Sequence, residues 1–152
     1  MMKSKSRRQV REAALQALYT LEVGHSRLGE TIKNGIEHTG LEGEQAEFME
    51  ELVTGVFEKQ TALDELLSPL VTEWDFERVA AIDRSILRLA AFELFYCPGI
   101  PPVTSIDEAI ELAKRFSTGE SGRFVNGVLG KLLAQSPKAD WPPRPHEEKP
   151  DA

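Results

Sequence analysis

Apolar residues recur along this chain at helical spacing, and nowhere at the two-residue alternation of a half-buried strand. From Val10 they fall at Val10, Ala14, Ala17, Leu18 and Leu21, one face of a first helix, and Ser6 with Gln9 three residues later has the form of its capping box. Gly24 is the expected stop. Leu28, Ile32 and Ile36 repeat every four residues, but Gly29 and Gly35 interrupt the run and predict a short or irregular helix. Phe48, Met49, Leu52, Val53, Val56 and Phe57 form a wide stripe through residues 44–60, which Leu63, Leu66, Leu67 and Leu70 continue around Pro69.

Asp75 stands where it would cap a helix running to about Tyr96, with Val79, Ile82, Ile86 and Leu89 on one side and Asp83, Arg84 and Arg88 on another. Pro98 and Gly99 end it. Ser105 and Glu108 repeat the capping-box pattern ahead of Ile106, Ala109, Ile110 and Ala113. Thr118, Gly119, Ser121 and Gly122 mark a break, and Phe124, Val125, Val128, Leu129 and Leu132 supply a last helical face. The expected fold is therefore all-α. Beyond Ser136 the chain holds Pro137, Pro142, Pro143, Pro145 and Pro150 with few apolar residues, so residues 136–152 are expected to form a disordered tail, with Trp141 an exposed aromatic in it.

Charge changes this plain picture. The net charge of -7 argues against nucleic-acid binding, which runs on Lys and Arg displacing counterions. Residues 1–11, however, hold Lys3, Lys5, Arg7, Arg8 and Arg11 and no acid, so this segment carries +5 and leaves -12 on the other 141 residues. Such a dipolar layout steers a polyanion to one end. The cap at Ser6 also puts Arg7 and Arg8 in the first helical turn, where the macrodipole disfavours cations. Free backbone N–H groups joined by two guanidinium groups make an anion site that a phosphate completes. The competing reading is a solvated basic arm.

Other chemistry finds little support. The single cysteine, Cys97, forms no internal disulfide, which points to a reducing, cytosolic setting. The uncharged stretch from Leu94 to Ile106 is too short and too proline-rich to span a membrane. Glu22 and His25 form one Glu-x-x-His pair, but a di-iron bundle needs a second pair and further carboxylates. Asp107, Glu108 and Glu111 are the acids expected near a helix start. With no phosphate loop, dinucleotide fingerprint or nucleophile elbow, no catalytic residue, metal or cofactor is assigned.

Four stretches taken together, ALQALYTLE (Ala14 to Glu22), IDRSILRLAAFEL (Ile82 to Leu94), IDEAIELAKRF (Ile106 to Phe116) and FVNGVLGKLL (Phe124 to Leu133), resemble the NusB family of bacterial transcription antitermination proteins over about residues 5–135. The resemblance implies a compact all-helical domain of six to seven helices at residues 6–135, in two packed subdomains of about 6–70 and 71–135; the basic arm at residues 1–5, read from charge, and the Pro-rich tail lie outside the shared pattern. It also implies a non-catalytic, cytoplasmic protein that binds the boxA element of ribosomal RNA leaders jointly with NusE, a small-subunit ribosomal protein, and acts on elongating RNA polymerase as a monomer or homodimer. The arginine-rich start of the family's first helix maps onto Arg7, Arg8 and Arg11; Lys3 and Lys5 join them on charge alone. Tyr19, Asp83 and Phe124 match the family's partner and RNA surface, although Tyr19 and Phe124 also read as core aromatics. Gln9 and Val10 interrupt the usual arginine run, Ser117 replaces a common glycine and Gly130 a common acid. The same helical domain occurs at the front of a family of rRNA cytosine methyltransferases, but the cofactor domain that such an enzyme needs has no counterpart in these residues. The alternative function is a helical protein-binding scaffold with only nonspecific RNA affinity.

Overall fold

Ser6 caps α1 (Arg7–Gly24) as its sequence predicts: its Oγ accepts from Gln9 N at 3.1 Å, and Gln9 Oε1 accepts from Ser6 N at 2.8 Å. This computed structural model describes residues 6–72 and 75–141. Five further helices follow: α2 (Leu28–Thr39), α3 (Gly43–Leu67), α4 (Ala81–Tyr96), α5 (Pro102–Phe116) and α6 (Ser121–Gln135), with 3-10 turns at Ser68–Leu70 and Phe76–Arg78. No strand occurs among the described residues, so the all-α expectation holds.

The centre of the molecule is α4, in which every residue from Ser85 to Leu94 is buried. It packs on α1 and α3 on one side and on α5 and α6 on the other, and all six helices feed one continuous apolar core. Close approach of α3 to α4 depends on Gly55: a Cβ there would sit 2.1 Å from Cζ of the Phe92 ring. At such a crossing only hydrogen leaves room for the aromatic.

Because α4 is central, its polar residues need partners from its neighbours. Arg88 donates to Asp64 of α3 through Nε at 2.7 Å and Nη2 at 2.9 Å, and to Glu22 of α1 through Nη1 at 3.0 Å. Arg84 also donates to Glu22, and its Nη1 reaches the carbonyls of Glu77, at 2.9 Å, and Val79. Glu22 is thereby committed to two arginines. Among the described residues no cluster of His, Cys, Asp or Glu has the makings of a metal site.

Four expectations are corrected. α2 is short, as expected, at 12 residues, but its two glycines do not make it irregular; Gly35 serves packing, since a Cβ there would lie 2.9 Å from Met49 Cε of α3. Asp75 does not cap α4: Phe76–Arg78 forms a 3-10 turn, Ala80 is non-helical, and α4 starts at Ala81. Burial of Phe76 and Val79, with Arg84 holding the turn's carbonyls, outweighs a continuous helix. Ser105 lies inside α5, which opens with Pro102 at its first position, where a missing N–H costs nothing. Ser105 and Glu108 are used instead by residues from α4 and α1.

The fourth correction concerns the start of the tail. Lys138 is buried, and its Nζ donates to the carbonyls of Glu93 at 3.0 Å, Cys97 at 2.6 Å and Ile100 at 2.5 Å. Those carbonyls are at or just beyond the C-terminal end of α4, where the dipole favours a cation; those of Glu93 and Cys97 already accept from Cys97 N at 3.2 Å and Ile100 N at 3.1 Å, and the ammonium adds a charged donor. One well-placed lysine thus carries the packed chain past Ser136, which composition alone does not reveal. Trp141 is exposed, with the Lys138 ammonium 5.9 Å from its ring centroid. The remainder of the predicted tail, residues 142–152, lies outside the described residues.

Candidate functional site

The capping box fixes the direction in which the basic start of α1 points. Arg7 lies in the first turn with its guanidinium 4.4 Å from the Phe48 ring centroid of α3, a cation–π contact that supports the charge while leaving its N–H edge available. Arg8, next to it, turns toward α5: Nε and Nη2 donate to Glu108 Oε1 and Oε2, each at 2.9 Å. Glu108 raises the basicity of Arg8, and Arg8 holds the Glu108 carboxyl below its ordinary value. Both arginines are exposed.

Arg11 departs from the expectation. It is 3% exposed, and its Nε and Nη2 donate to Glu93 Oε2 at 2.7 Å and Oε1 at 2.9 Å; Glu93 is itself 1% exposed and accepts from Ser105 Oγ at 2.6 Å. Both forward donors of this guanidinium are consumed inside the protein. Arg11 joins α1 to α4 and α5 and presents no cation to a ligand. A signal for this was available: Arg11 lies four and seven residues before Leu15 and Leu18, on an apolar stripe of α1.

Lys3 and Lys5 lie outside the described residues. Tyr19 is 40% exposed and so belongs to the surface, not the core. It falls on one stripe of α1 with Arg8 and Glu12, seven residues beyond Glu12 and about 16 Å along the axis from Arg8 at 1.5 Å per residue.

Asp83 and Phe124 come together at a second place. A cleft of about 270 Å³ is lined by Val79, Asp83, Thr118, Ser121 and Phe124 among others. Phe124, half-buried, also borders a larger neighbouring cleft of about 480 Å³ with Leu70, Val71, Arg123 and Lys131. Asp83 is 8% exposed, where its position beside Arg84 and Arg88 predicted a solvent-facing acid. Its Oδ2 accepts from Ser121 Oγ at 3.0 Å, tying α4 to the start of α6. Its Oδ1 is buried without a hydrogen-bond partner among the described residues, a costly state for a carboxylate oxygen.

Sequence reasoning missed the side chains that support the basic start. Phe48 reads as core and Glu108 as a helix-dipole acid, yet they hold Arg7 and Arg8. Arg115 of α5 adds a further cation near α1, paired with Glu12 at 2.9 Å. No spacing rule links residues so far apart in sequence. No helix among the described residues is long and apolar enough to cross a membrane.

Comparison with known proteins converges on one group. The family model described as NusB family matches residues 8–134. The transcription antitermination protein NusB of Bacillus subtilis (strain 168) is 44% identical over 126 residues, covering 83% of this chain and 93% of the relative. Its counterpart from Pelotomaculum thermopropionicum is 41% identical over 133 residues, covering 88% and 92%. Among solved structures, T. maritima NusB superposes with a TM-score of 0.84 at 33% identity, covering 90% of this chain and 97% of that one. A crystal structure of antitermination factors NusB and NusE in complex with dsRNA shares the fold, with a TM-score of 0.78 at 23% identity over 85% of this chain and 96% of that one.

Proposed function

Because the chain belongs to the NusB family, we propose that it is a transcription antitermination factor: a non-catalytic, cytoplasmic adaptor that binds boxA-containing single-stranded RNA of ribosomal RNA leaders together with NusE and acts on elongating RNA polymerase. The observation that carries this reading is the pair of exposed arginines, Arg7 and Arg8, in the first turn of a capped helix. A fold selected only for stability places acids there. Cations that oppose the helix field, supported from α3 and α5, are explained by a polyanion that completes the site.

In this reading the RNA backbone lies across the start of α1, with Lys3 and Lys5 as further contacts. The two guanidinium groups take phosphates, the first-turn N–H groups add to the field, and Tyr19 farther along the same stripe offers a ring for stacking an unpaired base. The clefts at Phe124 and Asp83 form the protein-binding surface. Phe124 supplies apolar area between them, and Asp83 Oδ1 is an acceptor that a donor from NusE would satisfy.

The test is fluorescence anisotropy of a boxA RNA and a scrambled RNA, with and without purified NusE. The adaptor reading expects preference for boxA, strengthened by NusE. The acidic body favours a second reading, a protein-binding scaffold, which expects NusE capture with equal, weak binding of both RNAs.

A further inference from the structure

We propose that Glu108 is an intramolecular competitor for the RNA backbone: it occupies Arg8 in the free protein and must be displaced before a phosphate engages that arginine. The inference rests on the RNA-binding reading of α1 given above. Its basis is that Glu108 takes Nε and Nη2 of Arg8 in a two-pronged bond, each at 2.9 Å. These are donors that a phosphate would take bidentately, so carboxylate and phosphate exclude each other. The arrangement is not a local helical pair, because Glu108 comes from α5, 100 residues along the chain.

Asymmetry of exposure makes the exchange easy in one direction. The Glu108 side chain is 16% exposed and held on its helix, whereas that of Arg8 is 50% exposed. Rotation of the arginine alone turns it from the acid to a ligand outside. The motif recurs one turn along α1 with the signs reversed, where Glu12 holds Arg115 of α5 at 2.9 Å. The cleft between the two helices, about 270 Å³, is lined by Arg8, Glu12, Glu111, Lys114 and Arg115. Lys114 also has an acid, Glu111 at 3.7 Å. Every cation of this cleft is thus occupied by a carboxylate, whereas Arg7 has an aromatic ring and no ion pair among the described residues. A single phosphate gains little by exchanging with Glu108. A chain of phosphates anchored at Arg7 gains the exchange as an intramolecular step, which raises discrimination between an RNA strand and small anions.

The experiment is a double-mutant cycle read by boxA RNA anisotropy across a salt series, with wild type, Glu108→Gln, Arg8→Ala and the double variant. Asp107→Asn, which removes an equal charge from the exposed position next to Glu108 and breaks no ion pair among the described residues, measures general repulsion. Glu108→Gln is expected to tighten binding roughly two- to fivefold beyond Asp107→Asn, the range of an exposed ion pair. The slope of the salt dependence is expected to match wild type, because Arg8 reaches its phosphate in both complexes. The tightening vanishes in the Arg8→Ala background. Weaker binding by Glu108→Gln, or tightening equal to that of Asp107→Asn or independent of Arg8, overturns the competitor role. Glu108→Ala repeats the cycle should the glutamine variant fail to fold. Reduced affinity in Arg8→Ala with no response to Glu108→Gln removes the competitor alone; no response to Arg8→Ala removes the RNA reading of this helix as well.

Discussion

Replacing Arg11 by alanine separates two roles that a basic helix start blends together. The side chain is enclosed, and both of its forward donors go to Glu93, which is buried as deeply. Truncation leaves Glu93 as a desolvated carboxylate with Ser105 Oγ, at 2.6 Å, as its remaining side-chain partner. Removing one member of a buried ion pair costs about 3–5 kcal/mol. Out of a total of roughly 5–15 kcal/mol this is a large share, and it lowers the melting temperature by about 10 °C for a chain of this size. Urea unfolding monitored by circular dichroism measures it, together with boxA affinity at a temperature where the variant remains folded. The expected result is a large fall in the denaturation midpoint and near-normal affinity in the folded fraction. The double replacement Arg11→Met/Glu93→Leu recovers most of the stability, because a pair removed together leaves no unmatched charge. A stability cost below about 1 kcal/mol, the range of an exposed pair, combined with affinity reduced as in Arg8→Ala, would refute this reasoning and return Arg11 to the surface.

Three further outcomes follow from the packing. Gly55→Ala drives a methyl group into the Phe92 ring and is expected to destabilise by about 1–3 kcal/mol, read by chemical denaturation. Desolvation first, and then the nearby Glu93 carboxylate, push the buried Cys97 thiol up to about 12 from an ordinary 9.0. Between those values the unfolded state releases this proton and the native state keeps it, so the group's contribution to stability falls as pH rises through that window. Native protein at pH 8 therefore reacts with a disulfide reagent only after urea is added, and rapid native reaction would contradict the burial. Truncation after Gln135 removes Lys138 and its three charge-assisted bonds at the end of α4, and is expected to destabilise by about 1–3 kcal/mol, read as a lower melting temperature.

The stretches that became helices are legible because burial of one face imposes a period on the sequence, and that period survives without knowledge of the partner. Boundaries are less legible. Asp75 and the Ser105–Glu108 pair have the composition of caps, but a cap is a local bond that a distant partner can outbid: Glu93 takes Ser105, and Arg8 takes Glu108. Charge is legible as a run and not as individual placements. The basic segment is plain in the sequence, yet only the fold shows that Arg7 leans on Phe48, Arg8 meets Glu108 and Arg11 disappears inward. Asp83 misleads for a related reason. A helix surrounded on all sides has no polar face, so its acids and arginines sit inside networks and not in solvent. The apolar spacing of Arg11 with Leu15 and Leu18 is the one local sign that its charge is structural.

The measurement that bears most directly on the RNA-binding role of α1 is the salt dependence of boxA RNA affinity for the full chain and for Arg7→Ala/Arg8→Ala, with NusE present. Two fewer cations on the phosphates of a single-stranded RNA flatten the slope by about 1.4, and that flattening is predicted together with weaker binding at low salt and an unchanged melting curve. An unaltered slope and affinity would contradict the role, and would leave the basic start of α1 a solvated arm on a protein-binding scaffold.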